Sequence, residues 1–234
     1  MDNYQTKQLE LTKKIEEGFK KGESLSTTVE PVSDYINDNR ICLTSVVFIP
    51  QNLEKRIIEN VINPLRKINP IQYFYIPDSF HITINNIRKI ENPPLFNNQD
   101  VEKARKVFRR VISKYRPFVF EIKRLFELPT SLAISAFSDE TLGNLALELR
   151  EELKKAGVPD NKTYANENTV IGSTTISRFT NSSNPCFKEK VKELKEIDVG
   201  SFEVKKISLI TTNAVCYPSK TKIIEEYLLM PDKQ

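Results

Sequence analysis

The order of predicted secondary structure repeats once along the chain, and this repeat restricts the possible folds more than any single motif does. Each of two short β-rich runs is followed by apolar residues at helical spacing, and then by a run in which apolar and polar residues alternate as in a strand. The matched pairs are the predicted strands 41–49 and 131–137, the helices 52–67 and 139–155, and the strands 79–87 and 173–179. Such self-similarity indicates an internal duplication of a strand-helix-strand unit.

The repeat continues beyond these units. Each second strand is followed by a predicted helix and a further strand, and a last helix closes the chain. These elements are the helices 100–115 and 187–196, the strands 117–125 and 201–209, and the final helix 219–227. We therefore expect a bilobal α+β fold with pseudo-two-fold symmetry, in which antiparallel sheets line a central cleft.

The first 40 residues fall outside this repeat. Residues 1–22 carry apolar side chains at helical spacing and end at Gly22, whereas residues 23–40 are rich in Ser, Thr, Asp and Asn. We expect an N-terminal helical arm and linker over 1–40, docked on a bilobal domain that spans 41–234.

Composition limits the class of protein. With 234 residues, of which 39% are hydrophobic and 28% charged, the chain can bury a sizeable core and is expected to be globular. Its formal net charge of +4 permits a polyanionic partner such as RNA without requiring one. The 6 glycines leave no glycine-rich phosphate loop, which argues against a P-loop or dinucleotide-binding site.

The three cysteines, Cys42, Cys186 and Cys216, are odd in number and widely spaced. They form no Cys-x-x-Cys pair, so the sequence favours neither a disulfide framework nor a zinc site and predicts a reducing compartment. No apolar run approaches the roughly 20 residues of a membrane span, and the N-terminus lacks the apolar core of a signal peptide. We expect a cytoplasmic protein without a membrane partner.

The only histidine in the chain, His81, lies two residues before Thr83 in the predicted strand 79–87. Residues i and i+2 of a strand share a face, so the imidazole and the hydroxyl are expected on one surface, with Phe80 and Ile82 buried beneath. An imidazole that exchanges a proton near neutral pH, beside a hydroxyl that donates to an anionic oxygen, forms half of a phosphate-handling site. A lone histidine on a strand is also compatible with a purely structural role.

The duplication places Ser173 and Thr175 opposite His81 and Thr83 across the cleft. At these residues the sequence resembles the two-histidine (2H) phosphoesterases, the superfamily of bacterial 2'-5' RNA ligase-like proteins and cyclic phosphodiesterases, which carry paired His-x-Thr/Ser motifs on pseudo-symmetric lobes. The resemblance covers about 41–230. The first motif, FHITI, is complete, whereas the second, STTISRF, keeps Thr175 and an Arg-Phe ending but has Ser173 where the second histidine belongs.

The resemblance implies a mechanism without a metal or a cofactor. One imidazole accepts a proton from the attacking water or ribose hydroxyl, the other donates a proton to the leaving ribose oxygen, and the two threonines hold the phosphoryl oxygens. It therefore implies that His81, Thr83 and Thr175 are the catalytic residues. The implied ligand is a nucleotide or an RNA 3'-end phosphate with a 2',3'-cyclic or 2'-5' linkage, and we expect a monomer.

Ser173 lacks the charge change near pH 7 that proton transfer requires. Three hypotheses follow: a hydrolase that works with His81 as its one imidazole, a nucleotide-binding pseudoenzyme that has lost turnover, and a structural module with an empty cleft. A tyrosine of the cleft, Tyr73, Tyr75 or Tyr164, is a candidate substitute for the missing acid.

Ser173, Tyr75 and Arg178 are the candidate substrate-binding residues. Tyr75 belongs to an aromatic run that begins at Tyr73 and that offers either a base-stacking surface or core packing. Arg178 lies five residues beyond Ser173, so an ideal strand places it on the opposite face. There, an ion-pair role is favoured over a contact with phosphate.

Overall fold

The computed structural model of the chain describes residues 2–23, 25, 27–180 and 184–230. Its helices are α1 (Asn3–Lys20), α2 (Gln51–Ile57), α3 (Asn63–Ile68), α4 (Asn98–Ile112), α5 (Glu140–Lys155) and α6 (Pro185–Glu193). Its strands are β1 (Ile41–Phe48), β2 (Tyr73–Phe74), β3 (His81–Glu91), β4 (Phe118–Leu128), β5 (Ser131–Phe137), β6 (Gly172–Arg178), β7 (Asp198–Val204), β8 (Lys206–Thr212) and β9 (Lys222–Leu228).

The strands form two antiparallel sheets. One sheet has the strand order β3-β1-β8-β9, and the other has the order β2-β6-β5-β4-β7. β3, at the edge of the first sheet, lies against β6 of the second. The expected α+β class with antiparallel sheets is confirmed, and β3 and β6 are the strands at which the two sheets meet.

Apolar side chains of the sheets and helices form a continuous core. Every residue of β5 is buried, and α5 adds a fully buried stripe of leucines that packs beside β3. These leucines are Leu142, Leu145, Leu149 and Leu153. α5 begins where the Asp139 side chain accepts a hydrogen bond from Thr141 N, which satisfies one free donor of the first turn. The helical spacing that predicts α5 therefore coincides with its buried face.

The predicted helix 52–67 contains one wider turn. α2 passes through a π-helical segment, Ile58–Ile62, into α3, whose first turn contains Pro64. Proline has no N–H to donate to the fourth preceding carbonyl. The π turn accommodates the missing hydrogen bond, so the helix continues through Pro64.

Two predicted elements are wrong. The single strand predicted at 201–209 divides at Lys205, so that β7 pairs with β4 in one sheet and β8 pairs with β1 in the other. The helix predicted at 219–227 is instead a short 3₁₀ turn, Pro218–Lys220, followed by β9, which pairs with β8. Pairing with the open edge of β8 outweighs the local helix preference of this segment.

α1 docks on the second sheet, against β4 and β5. Gln8 is buried beneath the helix, where its Nε2 donates to Val170 O at 2.8 Å and its Oε1 accepts from Ser138 N at 3.1 Å. Glu16, also buried, accepts from Lys195 Nζ at 3.0 Å and from Arg124 Nη2 at 3.1 Å. Buried polar contacts therefore hold α1 on the sheet.

The three cysteine thiols are free; Cys42 and Cys216 are buried and Cys186 is exposed. Among the residues that the structure describes, none of the helices has the length and the apolar character needed to cross a membrane.

Candidate functional site

A cavity of about 260 Å³ lies where β3 meets β6. Its walls come from these two strands, from α5, from the loop between α5 and β6, and from the N-terminal segment. The candidate catalytic and substrate-binding residues all line it, namely Tyr75, His81, Thr83, Ser173, Thr175 and Arg178. Of the candidate substitute acids, Tyr75 and Tyr164 belong to the described lining and Tyr73 does not. The two halves of the chain thus each contribute one wall of a shared site.

A tight turn before β3 orients His81. Asp78 adopts a left-handed conformation (φ 64°), and its N–H donates to the Glu54 carboxylate at 3.2 Å. Ser79 Oγ donates to Ile76 O at 2.6 Å, and the Ser79 carbonyl accepts from His81 Nδ1 at 2.8 Å. Because a carbonyl only accepts, Nδ1 carries the proton and Nε2 is the ring nitrogen left for other contacts.

Cys216, which the sequence does not mark as functional, contacts the His81 ring. It follows β8 in a left-handed conformation (φ 50°), is 1% exposed, and its Sγ accepts from Thr221 Oγ1 at 3.6 Å. Burial lowers the pKa of His81, but the charge and hydrogen bond of Cys216, together with the hydrogen bond to the Ser79 carbonyl, outweigh burial, so the pKa lies above its ordinary value. Burial raises the pKa of Cys216, but His81 and hydrogen bonds with Thr221 and Thr212 together bring it below its ordinary value. Each partner therefore favours the charged form of the other.

The hydroxyl groups of the cavity wall include those of Thr83, Ser173 and Thr175. In the part of the chain that the structure describes, none of these three has a hydrogen-bond partner. Thr174, between the last two, is fully buried, as alternation predicts for the other face of β6. The three free hydroxyls are available as donors to an anionic oxygen.

Arg178 lies on the cavity face of β6, and the expectation that it points away from Ser173 is wrong. β6 contains a bulge at Ile176, where its register with β5 shifts by one residue. One extra residue reverses the alternation beyond it, so Arg178 joins Ser173 and Thr175. Its Nη2 donates to Ala214 O at 3.3 Å, and no carboxylate among the described residues forms an ion pair with it.

Tyr75 lies near His81, with 6.4 Å between the ring centroids, and its hydroxyl donates to Ala214 O at 3.2 Å. It is 1% exposed, so most of its ring packs in the core. Burial raises the pKa of Tyr75, and it also raises those of Tyr73 and Tyr164. Because a raised pKa opposes loss of the proton, these tyrosines are not tuned to replace a second histidine.

Two further cations, Arg150 of α5 and Lys162 of the following loop, line the same cavity. The guanidinium carbon of Arg150 lies 3.5 Å from the centroid of the Tyr164 ring. The loop is held to the N-terminal segment because Thr27 N donates to Thr163 O at 3.2 Å and Thr163 N donates to Thr27 Oγ1 at 2.8 Å. No local sequence signal marks these residues, since only tertiary packing brings them to the cavity.

The polar side chains that line the cavity carry hydroxyls, amides, one imidazole and cations, and its described lining contains no carboxylate. Within the described residues, no group of three or more His, Cys, Asp or Glu side chains is placed to hold a metal ion. This arrangement can bind an anionic oxygen and place one proton-transfer group beside it.

Known proteins match the chain in structure only. No protein-family model and no curated protein sequence matches it. The structure of E. coli LigT complexed with ATP matches with 11% identity and a TM-score of 0.56, over 82% of this chain and 99% of LigT. TT0787 of Thermus thermophilus matches with 13% identity and a TM-score of 0.57, over 83% and 100% of the two chains. ATU0111, a conserved protein of unknown function from Agrobacterium tumefaciens, matches with 11% identity and a TM-score of 0.54, over 87% and 90%.

The matching structures include one described as a phosphoesterase, with 12% identity and a TM-score of 0.57. The chain therefore has the fold of the LigT-like phosphoesterases, and the fold implied by the resemblance to the 2H phosphoesterases is confirmed. Likeness at these identities establishes the architecture and leaves the chemistry of the cavity to its own residues.

Proposed function

We propose that this chain binds the phosphate of a nucleotide or of an RNA 3' end, with a 2',3'-cyclic or 2'-5' linkage, in the cavity between β3 and β6. Hydrolysis there is impaired, because Ser173 stands where a second histidine would transfer the second proton. The shared fold supports the choice of ligand, since LigT has been solved in complexes with ATP and with 3'-AMP. The three free thiols support a reducing, cytoplasmic setting.

The observation that carries the proposal is the convergence of His81 and three hydroxyls, those of Thr83, Ser173 and Thr175, on one cavity. Phosphoryl oxygens accept the hydrogen bonds that such donors offer, and the hydroxyls have no competing partner among the described residues. His81, when protonated, and Arg178 supply charge of the complementary sign.

The proposal gives each wall a different role. Thr83 and Thr175 hold non-bridging oxygens from the two sides of the cavity. His81 is suited to donate a proton to a departing ribose oxygen, because its raised pKa favours the protonated ring. On the β6 side, Ser173 offers a hydroxyl and Arg178 a permanent cation, and neither of them accepts a proton near pH 7.

A second candidate is a non-catalytic nucleotide- or RNA-binding protein built on the phosphoesterase fold. The chemistry of the β6 wall favours it, since neither Ser173 nor Arg178 accepts a proton near pH 7. Both candidates use the same cavity and ligand, and they differ only in turnover. Hydrolysis of a 2',3'-cyclic mononucleotide by the wild-type protein separates them.

Calorimetric titration with adenosine 2'-monophosphate tests the ligand. Replacing Thr83 and Thr175 together by valine keeps their shape and removes both donors. We expect affinity to fall about a hundredfold or more, since hydrogen bonds to charged groups contribute roughly 1.5–3 kcal/mol each and two are removed. Wild-type affinity should also weaken as salt is added.

Thr174→Val is the matched control for this experiment. It removes a hydroxyl from the same strand, but its Oγ1 is buried and unpaired on the other face, so affinity should be retained. Absence of binding at millimolar ligand contradicts the proposal and favours a structural module. Equal binding by the double variant contradicts the roles of Thr83 and Thr175.

A further inference from the structure

Arg150 and Lys162, like Arg178, line the cavity without an ion-pair partner among the described residues, but they belong to α5 and the following loop and not to β6. On the neighbouring surface of α5, Glu148 binds Lys114 at 2.6 Å. Arg150 belongs to the same helix, yet neither it nor Lys162 forms an ion pair with any carboxylate of the described ranges. Both cations therefore line the cavity, and neither is neutralised by an ion pair within the described residues.

The guanidinium of Arg150 is oriented but not satisfied. It stacks on the ring of Tyr164, with its central carbon 3.5 Å from the ring centroid. Its Nε and Nη1 are buried and find no hydrogen-bond partner in the described part of the chain. The carboxylate of Asp160 in the same loop accepts instead from the Tyr164 hydroxyl at 3.0 Å. Charged donors buried in this way are costly, and a ligand that supplies acceptor oxygens offsets the cost.

Lys162 adds to the positive potential of this wall. Burial lowers the pKa of Lys162, and repulsion from Arg150 and Arg178 lowers it further, against the opposing effect of Asp160. The direction of the change indicates like charges crowded into a partly desolvated space. An anion bound between them would relieve the repulsion and favour the charged form of the lysine.

The wall that carries these cations differs from the wall that carries the threonines. Arg150 belongs to α5 and Lys162 to the following loop, whereas Thr83 and Thr175 belong to β3 and β6. The two hydrogen bonds between Thr27 and Thr163 fix the loop. These contacts order the loop without a ligand, which reduces the entropy lost if an anion binds beside it.

We propose that Arg150 and Lys162 form a second phosphate-binding site, so that the preferred ligand carries two phosphates separated by one nucleoside. The inference rests on the proposed function, which places the first phosphate at Thr83 and Thr175. Two kinds of molecule contain two phosphates arranged in this way. One is a free nucleoside bisphosphate, and the other is the last nucleotide of an RNA, whose 5' phosphate is the diester to the preceding nucleotide.

Calorimetry with paired ligands tests the second site. Adenosine 2',5'-bisphosphate is expected to bind the wild-type protein about tenfold or more tightly than adenosine 2'-monophosphate, as one added charge-assisted contact implies. Arg150→Met and Lys162→Met should each reduce this advantage. The affinity of each variant for the monophosphate should stay within about twofold of the wild-type value, because the monophosphate does not contact these residues and loss of a charged contact would cost more than that. Lys154→Met is the matched control, because it removes an exposed cation from α5 outside the cavity. It should retain the advantage.

A dinucleotide that ends in a 2'-phosphate distinguishes the two sources. Binding comparable to that of the bisphosphate identifies an RNA end, and exclusion of the dinucleotide identifies a free nucleotide. Equal affinity of the wild-type protein for the mono- and bisphosphate overturns the second site but leaves the proposed function standing. Equal losses for both ligands in the variants also overturn it, because they indicate a single shared phosphate site. If neither ligand binds, the proposed function itself fails and the second site with it.

Thermal melting of each variant shows whether it is folded before its affinities are compared. Lys162→Met changes a loop residue, so it provides the comparison if loss of the stacked Arg150 prevents folding.

Discussion

Ser173→His tests whether the two walls of the cavity are arranged for in-line phosphoryl transfer. In-line displacement needs an acid and a base on opposite sides of the phosphorus, and His81 supplies a titrating group from the β3 side only. Ser173 lies on the cavity face of β6, and its hydroxyl has no partner in the described ranges. The substitution therefore adds an imidazole without breaking a hydrogen bond of the protein.

The size of the expected gain follows from the surroundings of the new side chain. A well-placed acid or base contributes about 10²–10⁴ in rate. His81 is oriented by its hydrogen bond to the Ser79 carbonyl at 2.8 Å. A histidine introduced at position 173 has no such orienting partner designed for it. Arg178 on the same face also lowers the pKa of a new imidazole. We therefore expect the lower end of the range, a gain of about 10².

The assay is hydrolysis of a 2',3'-cyclic mononucleotide, followed as a function of pH. The gain should produce a bell-shaped profile and should vanish when His81→Ala is added, because the pair acts as a unit. Ser173→Asn, which has a similar outline but does not titrate, is the matched control and should show no gain. Efficient turnover by the wild-type protein would refute the reasoning. So would a Ser173→His variant that folds and binds ligand yet gains nothing.

Two further predictions concern α1 and His81. Glu16→Gln should lower the free energy of unfolding, measured with denaturant, by about 3 kcal/mol, because it breaks a buried ion pair with Arg124. Glu196→Gln alters an exposed partner of the same arginine and should change the stability little. Equal effects of the two substitutions would contradict the prediction. The single histidine gives one imidazole NMR titration, with its midpoint expected above 6.5. Cys216→Ser should lower the midpoint, because only the hydrogen bond to the Ser79 carbonyl then opposes burial and repulsion from Arg178, and an unchanged midpoint would contradict the pairing. Since the folded-state pKa is raised, the stability that His81 contributes is complete below the unfolded-state pKa and is lost as the pH rises through the folded-state value.

Local alternation is sufficient to predict the centre of the site. His81 and Thr83, and likewise Ser173 and Thr175, share a strand face because the side-chain period of a strand is two. Alternation gives the wrong face for Arg178, three residues after Thr175, because the bulge at Ile176 reverses the order of the two faces. The bulge is set by pairing with β5, and nothing in the isolated sequence of β6 marks it.

Residues brought together by long-range packing could not be predicted from their own neighbourhoods. Cys216 meets His81 because β8 pairs with β1, which pairs in turn with β3. Arg150 and Lys162 reach the cavity because α5 packs beside β3 and the following loop is held by Thr27. The local sequence around a lone cysteine or a scattered basic residue does not indicate these contacts, which depend on the fold.

The exchange of strands between the two halves explains how the cavity keeps its shape. β4, from the first half, lies between β5 and β7 in the second sheet, while β8, from the second half, lies between β1 and β9 in the first. Neither sheet is therefore complete without strands from both halves. The two halves of the chain therefore cannot part without breaking the pairing of inner strands, which is far more costly than parting two independently folded units. The sheets themselves are joined by the one-residue connection at Lys205 between β7 and β8 and by the apolar core that both share. The β3 wall and the β6 wall thus belong to one continuously packed body, as a two-sided phosphate site requires.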